Sequence, residues 1–268
     1  MKHWILSLAI AAIVAGCATA TSSTGRKQFV GAVPQQQLDQ LGAQAFAEAK
    51  AKGPLSGDAR QNAYVRCVVG ALVQQLPAQE RTTAWETALF AIKEPNAFAL
   101  PGGKVGVNTG ILSVARNQNQ LAAVLAHEIG HVVENHHDER ITRQMGAGAL
   151  LQGVGALAGS RYGQGAASTV GQLGGAGLQA GFLLPGTRAQ ETEADVVGQR
   201  LMAQAGFDPQ QAVDLWQNMI AAGGARQPEW LSTHPNPQSR IQELRTRATA
   251  LAPTYQQARS AGRTPSCG

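Results

Sequence analysis

The stretch LAAVLAHEIGHVV at residues 121–133 constrains the fold of this chain more than any other. With 3.6 residues per helical turn, its large apolar side chains fall on one side of a helix and its smallest residues fall on the other. The large residues are Leu121, Leu125 and Val132, and the small ones are Ala123, Ala126 and Gly130. Such a helix is buried nearly all round, and its small side lets another element approach closely.

The same stretch contains the pattern HExxH, formed by His127, Glu128 and His131. Two histidines four residues apart lie on one helix face, so both imidazoles reach one ion at a Zn–N distance of about 2.0–2.1 Å. Glu128 lies about 100° round the helix from His127, where it suits a general base better than a tetrahedral ligand. Chance predicts about 0.005 copies of this pattern here. The alternative is core histidines bonded to backbone carbonyls, but burying these polar groups without a metal is costly.

A catalytic zinc site takes three protein ligands and leaves one position open. The segment ETEAD contains Glu191 and Asp195, which share one face of a helix that Thr187 and Gln190 begin as a capping-box pattern. We predict that Glu191 is the third metal ligand and that Asp195 accepts a ring N–H from a ligand histidine. About 0.2 copies of this spacing are expected by chance, so a solvated acidic helix start is the alternative. Glu193 falls on another face and is expected to be solvated.

The first residues indicate export. An apolar run at 4–14 follows Lys2 and is too short to span a membrane. The segment VAGC at 14–17 is typical of a bacterial lipobox, in which Cys17 is lipidated, and ATA at 18–20 is the alternative signal-peptidase site. We therefore predict a lipoprotein signal peptide over 1–16 and a periplasmic protein that its lipid anchors to the outer membrane.

Periodicity and turn signals predict a mixture of helices and strands. Helices are expected over 34–76 with a break at 53–58, a strand at 85–92 and a β-hairpin at 96–112 with PGG as its turn. Asn117 with Gln120 is predicted to begin the helix that carries HExxH.

A glycine-rich apolar stretch at 144–187 carries a single charge, at Arg161. Gln and Gly interrupt its apolar runs, so we predict a helical hairpin or lid there, with a disordered insert as the alternative. Asp208 with Pro209, and Asn236 with Pro237, predict the starts of two further helices.

Composition argues against nucleic-acid binding and allows, without requiring, one disulfide. The net charge is +5, but basic residues are scattered without a run of five, so nucleic acid is not a predicted partner. In an oxidising compartment Cys67 and Cys267 form either a disulfide or two free thiols, and the sequence does not decide between them.

Three segments together resemble one enzyme family. AHEIGHVVENHHDER, RAQETEADVVGQRLMAQAGFDP and STHPNPQSRI are similar to motifs of the zinc metallopeptidases of the HtpX, Oma and CAAX-prenyl-protease type, peptidase family M48. They look more like the small exported branch found as bacterial periplasmic lipoproteins. The motif block covers about residues 85–247. The departure from the family is at 144–187, where the integral members would carry membrane helices and this sequence shows no convincing one.

The resemblance implies roles for matching residues. His127, His131 and Glu191 would bind one Zn²⁺ per chain, with Glu128 as catalytic base and Asp195 as support. In NAFALPGG, the residues Asn96, Ala97 and Phe98 would lie in an edge strand beside the cleft and bind substrate backbone.

The resemblance also implies the fold and the domain organisation. The expected class is α+β, a mostly helical zincin-like metallopeptidase core with a small β-sheet or hairpin at the cleft edge. The predicted divisions of the chain are a tether at 17–33, the metallopeptidase domain at 34–252 and a loose polar tail at 253–268.

Four further side chains have open roles. The proline after His234 favours an extended backbone, so His234 lies on a loop, where it steadies the oxyanion, closes the fourth metal position or serves structure alone. Arg240 either pairs with a carboxylate near the site or caps a helix. His136 and His137 are expected at the surface, because five and six positions beyond His131 they turn away from the metal.

These features predict a zinc-dependent endopeptidase of the bacterial cell envelope that degrades misfolded or unassembled envelope proteins. The alternative is a chaperone-like outer-membrane assembly factor whose metal site is latched by His234. A purely structural zinc protein fits least, because structural sites favour four closed ligands rich in cysteine.

Overall fold

The computed structural model describes residues 18–146, 186–223, 230, 234 and 237–268. The predicted signal peptide with its lipidation site Cys17, and nearly all of the 144–187 insert, lie outside the described residues. The described chain divides into two compact units. One contains residues 18–38 and 135–146, and the other contains 39–134 and the described residues from 186 onward.

The first unit is a hairpin with a helix. Strands β1 (Ala18–Thr21) and β2 (Lys27–Val30) pair antiparallel, and residues 136–146 are helical. The Arg26 guanidinium donates to both carboxylate oxygens of Glu139, each at 2.8 Å, in a bidentate ion pair. The prediction of a tether over 17–33 is therefore wrong for 18–30, because strand pairing and a long-range ion pair order this polar segment.

His136 and His137 are buried, so their predicted surface location is wrong. The prediction continued the helical rotation of HExxH past His131. The helix instead ends at Val133 with Glu134 as its C-cap, and Asn135 adopts the left-handed conformation with φ of 54°. A new helical segment begins at His136, so the earlier rotation no longer tells where these two side chains point.

In the second unit a three-stranded sheet has the order β3-β5-β4. Strand β3 (Glu86–Phe90) pairs parallel with β5 (Lys104–Asn108), and β4 (Ala97–Leu100) pairs antiparallel with β5. The predicted strand and hairpin are confirmed. The PGG turn requires Gly102 and Gly103, both of which have positive φ.

The helices of the described chain are labelled in order. They are α1 (Gln35–Lys52), α2 (Ala59–Val73), α3 (Ala78–Arg81), α4 (Ile111–Val114), α5 (Gln118–Val133), α6 (136–146), α7 (Arg188–Ala205), α8 (Gln211–Gly223) and α9 (Pro237–Ser260). The expected break between the first two helices is confirmed, with Asp58 capping α2. The helix predicted after Asp208 is α8, and the one predicted after Asn236 is α9, which begins at Pro237.

Helix α5 lies at the centre of the hydrophobic core of the second unit. Its apolar residues join one cluster with those of α2, the sheet, α7 and α8. The predicted smooth face is occupied by α7: a Cβ on Gly130 would lie 3.1 Å from the Ala194 carbonyl oxygen, and one on Gly198 would lie 3.0 Å from the His127 amide nitrogen. The two helices therefore touch backbone to backbone.

The chain end is ordered, so the prediction of a loose tail from Pro253 is wrong. Helix α9 continues through Pro253 to Ser260. Beyond it, the Gln118 side chain donates to the Pro265 carbonyl at 2.7 Å and accepts from the Cys267 N–H at 2.8 Å. Cys67 and Cys267 form a disulfide, which settles the pairing that the sequence left open.

The predicted α+β class, mostly helical with a small sheet, is confirmed by this arrangement. Among the residues that the structure describes, no helix combines the length and apolar character needed to cross a membrane.

The close approach of α5 and α7 generates a prediction. Gly198→Ala places a methyl group against backbone that cannot rotate away, so we expect a loss of about 1–3 kcal/mol in unfolding free energy. Urea unfolding measures it. Gly70→Ala is the matched control, because a Cβ there meets nothing within 4 Å, and we expect it to be neutral or stabilising by up to about 1 kcal/mol. Equal effects at both positions would contradict the tight contact.

Candidate metal centre

Helices α5 and α7 bring the predicted ligands together. Asn117 caps α5 by accepting hydrogen bonds from the N–H groups of Asn119 and Gln120. The Gln120 side chain bonds the Arg116 N–H rather than that of Asn117, so the box expected there is incomplete. The box predicted at the start of α7 is complete: Thr187 and Gln190 bond each other's backbone reciprocally.

Four buried side chains point ligand atoms at one another. They are His127, His131, Glu191 and His234, and one atom from each lies within 4.8 Å of all the others. The Nε2 atom of His127 is 3.1 Å from Nε2 of His131 and 3.2 Å from Nδ1 of His234. Glu191 Oε2 lies 3.4 Å from His127 Nε2 and 2.8 Å from His234 Nδ1, and Glu191 Oε1 lies 3.5 Å from His131 Nε2.

These separations match a shared ion. Ligand atoms around a tetrahedral zinc with Zn–N bonds of about 2.0–2.1 Å are about 3.3–3.4 Å apart. The structure thus places His127, His131 and Glu191 together as predicted from the sequence. It adds His234 to the same group. Closing the fourth metal position is one of the three roles that the sequence left open for this residue.

The Asp195 carboxylate orients the His127 ring. Asp195 Oδ1 lies 3.0 Å from His127 Nδ1, which places the ring proton on that nitrogen and leaves a lone pair on Nε2. This is the contact expected for Asp195. The lone pair faces the two other imidazoles, as a metal ligand must.

Arg240 connects the carboxylates behind the centre. Its guanidinium donates to both oxygens of Asp195, each at 2.7 Å, and to Glu191 Oε2 at 3.0 Å. Its guanidinium carbon also lies 4.1 Å from the ring centroid of Trp216, in cation–π contact. Of the two roles predicted for Arg240, the structure therefore shows the carboxylate pairing.

Electrostatics favour positive charge at the centre. Burial by itself raises the pKa of Asp195, but Arg240 and the His127 hydrogen bond outweigh it and lower that pKa to about 2. Burial also opposes ionisation of Glu191, yet His234 and His131 hold its pKa well below the usual value. Burial disfavours charged His234, but Glu191 and Glu128 raise its pKa to about 9. Each carboxylate therefore stays ionised and attracts a cation.

The donor set fits a divalent metal ion on two observations. Glu191 Oε1 is buried and has no hydrogen-bond partner, which is costly unless a cation faces it. This contacting group contains three carboxylates and one guanidinium, so two negative charges remain once the imidazoles have lost their protons, as metal ligation requires. The carboxylates are Glu128, Glu191 and Asp195, and the guanidinium is Arg240. A divalent ion balances that charge.

Glu128 lies beside the ligands and does not join them. Its Oε1 accepts a hydrogen bond of 3.0 Å from the Trp230 indole N–H and lies 3.3 Å from His234 Nε2. Burial raises the pKa of Glu128, but His234 and His127 outweigh it and lower that pKa. A buried, ionised carboxylate next to the metal ligands can accept a proton from a water there.

The sequence analysis missed two residues of the site and placed a third wrongly. Trp216 and Trp230 pack beside the candidate ligands with ring centroids 4.7 Å apart. The sequence feature that could have pointed to them is the rarity of tryptophan, since the chain has four. Glu193 is buried and not solvated as predicted, because most of α7 is enclosed, including faces that do not point at the metal.

Comparisons with known proteins agree with this geometry. Residues 59–248 match the family model described as Peptidase family M48. The chain is 41% identical over 164 residues to the mitochondrial metalloendopeptidase OMA1 of Schizosaccharomyces pombe, covering 60% of this chain and 45% of that protein. It is 32% identical over 221 residues to the beta-barrel assembly-enhancing protease of Escherichia coli K12, covering 80% of this chain and 44% of that protein.

The chain thus spans less than half the length of these curated relatives. The family match nevertheless covers most of the chain, and the HExxH residues together with Glu191 form a candidate metal site within it. The chain belongs to peptidase family M48.

Proposed function

We propose that this protein is a zinc-dependent endopeptidase of the bacterial cell envelope that degrades misfolded or unassembled envelope proteins. The observation that carries the catalytic part is the convergence of His127, His131 and Glu191 with the Glu128 carboxylate beside them. Two imidazoles and one carboxylate are the ligand set of many catalytic zinc sites. The similarity to a beta-barrel assembly-enhancing protease supports the envelope part.

The chain's own residues divide the work of peptide hydrolysis. A bound zinc ion supplies Lewis acidity, which polarises the scissile carbonyl and acidifies a water. Glu128 accepts the proton of the attacking water and passes it to the leaving amine. Asp195 keeps the His127 ring in one tautomer, and Arg240 fixes Asp195 and Glu191.

Strand β4 offers an edge for an extended substrate. The Asn108 N–H donates to the Asn96 carbonyl at 2.9 Å, so the hydrogen-bonded positions alternate from Asn96 to Phe98 along this antiparallel ladder. The N–H and C=O groups of Ala97 and Ala99 therefore point away from β5. The side-chain oxygen of Asn96 accepts a hydrogen bond from the Ala97 N–H at 2.9 Å. The Ala97 carbonyl and the N–H and carbonyl of Ala99 remain directed away from β5. We propose that substrate backbone pairs here, so that sequence preference is loose.

Phe98 contributes packing to this edge. Its ring covers Gly106 and lies 6.4 Å from the Phe46 ring and 6.2 Å from the Phe90 ring, measured between centroids. The proposed substrate contact is therefore made by the strand backbone, with Phe98 keeping the strand in place.

Replacing the base tests the mechanism. Glu128→Gln removes the proton acceptor but leaves all four ligand side chains, so we expect casein cleavage to fall by about 100-fold or more with bound zinc unchanged. Cleavage of denatured casein and metal analysis of the same samples measure both. Glu48→Gln, at an exposed position on α1, is the matched control. Persisting cleavage by Glu128→Gln would refute the role of this base.

A second candidate function is favoured by the position of His234. With this imidazole at the fourth corner, the four ligand positions are filled, whereas a catalytic site keeps one open. The protein would then act as a chaperone-like outer-membrane assembly factor in which His234 latches the metal site and cleavage is rare.

Removing the latch separates these candidates. His234→Ala leaves three ligands for the metal, so we expect zinc to stay bound and casein cleavage to rise several-fold. Initial cleavage rates at equal zinc content measure the change, with Glu128→Gln/His234→Ala as the inactive control. A fall in cleavage would instead assign His234 to catalysis, as an oxyanion partner.

We also propose that Cys17 carries a lipid anchor, most consistently in the outer membrane. Strand β1 supports the lipobox over the competing ATA site, because cleavage after Ala20 would remove three residues that pair with β2. Cleavage before Cys17 leaves the hairpin whole. Strand β1 begins at Ala18, one residue after the proposed anchor.

Lipidation has a direct test in a bacterial host. The wild-type protein is expected to incorporate labelled palmitate and to sediment with membranes. Cys17→Ala is expected to lose the label and to remain soluble in the periplasm or to stay unprocessed. An unlabelled wild-type protein with Ala at its mature N-terminus would contradict the proposal and support the other cleavage site.

A further inference from the structure

Trp230 contacts the proposed base through a directional bond. It is 1% exposed, and its indole N–H donates to Glu128 Oε1 at 3.0 Å. The indole nitrogen can donate a hydrogen bond but cannot accept one, so the direction of its N–H bond fixes where that carboxylate oxygen lies. HExxH places Glu128 on α5 but leaves its side-chain torsions free, and this bond restricts them.

The Trp230 ring is itself held from several sides. Its centroid lies 4.7 Å from that of Trp216, 4.9 Å from that of His234 and 5.9 Å from that of His127. Trp216 in turn packs against Arg240. A ring enclosed in this way has little freedom to turn, so its N–H is a fixed donor.

Two donors share the same oxygen of Glu128. Besides the indole N–H, Nε2 of His234 lies 3.3 Å from Glu128 Oε1. If the His234 side chain rotates away to open the fourth corner, this second contact is lost. The bond from Trp230 has a donor of its own and does not involve the His234 imidazole, so it does not depend on where that side chain lies.

We propose that Trp230 is a positioning residue, whose indole N–H holds the Glu128 carboxylate in the orientation required for proton transfer when His234 has left the fourth metal position. The inference rests on the proposed function, in which Glu128 is the base. Trp230 acts through Glu128 and supplies no ligand atom to the candidate metal group.

Trp230→Phe tests this role, since it removes the N–H and keeps an aromatic ring. We expect kcat for a peptide substrate to fall about tenfold or more, with KM within about twofold, because a misplaced base slows the chemical step. Zinc affinity, from competition with a chromogenic chelator, is expected to stay within about threefold. Trp85→Phe is the matched control, since it removes an indole N–H that donates to the Glu80 carbonyl, and it leaves kcat unchanged.

A thermal double-mutant cycle separates the bond from packing. The Tm loss caused by Trp230→Phe is expected to be larger in the wild-type background than in Glu128→Ala, where the N–H has no carboxylate to lose. Equal Tm losses in both backgrounds would overturn the inference, as would a tenfold loss of zinc affinity, which would place the effect at the ligands.

The outcomes distinguish this inference from the proposed function. If the zinc-loaded wild-type protein cleaves nothing, the proposed hydrolysis fails and the role of Trp230 in it fails too. If the wild type is active, Glu128→Gln is inactive and Trp230→Phe retains full kcat, the hydrolytic mechanism stands and Trp230 alone is excluded.

Discussion

Helices α5 and α7 meet through backbone atoms at Gly130 and Gly198, and the metal centre depends on this contact. His127 and His131 are fixed by one helix, and Glu191 by the other. A carboxylate side chain reaches only a few ångströms from its backbone. If ordinary side chains held the two helix axes about 8–10 Å apart, Glu191 would have difficulty reaching the histidines of the other helix. Glycines at the crossing remove that separation, and ligand atoms then approach to 3.4–3.5 Å.

Close packing creates an electrostatic cost that the site must offset. Three ionised carboxylates lie within a buried volume, and Arg240 balances only one of them. Unpaired buried charge is among the largest destabilising terms in proteins. The chain places the remaining charge next to three imidazole rings, which accept a divalent ion or a proton. Metal binding and stability of this region are therefore coupled, because the same ion that serves chemistry removes the repulsion.

Features set by local sequence were predictable, and those set by tertiary packing were not. Ligand spacing on α5 and α7 follows from helical periodicity, and the PGG hairpin follows from turn chemistry. The burial of His136 could not be read from periodicity, because a single left-handed residue, Asn135, resets the helical phase. The order of residues 18–30 depends on Arg26 meeting Glu139, 113 positions later, and no local pattern carries that information.

The position of His234 in the candidate metal group decides whether the site can hydrolyse a peptide. A tetrahedral site bound by all four side chains would have no position for water or a carbonyl oxygen, so a hydrolysing arrangement would need His234 elsewhere. In the latched arrangement proposed above, rotation of the His234 side chain would open this position, since His127, His131 and Glu191 belong to helices α5 and α7. Glu191 and Glu128 both attract this imidazole, so a substrate would have to compete with that attraction. Under that proposal, one side chain would regulate cleavage, and the two helices that carry the other candidate ligands would not need to move.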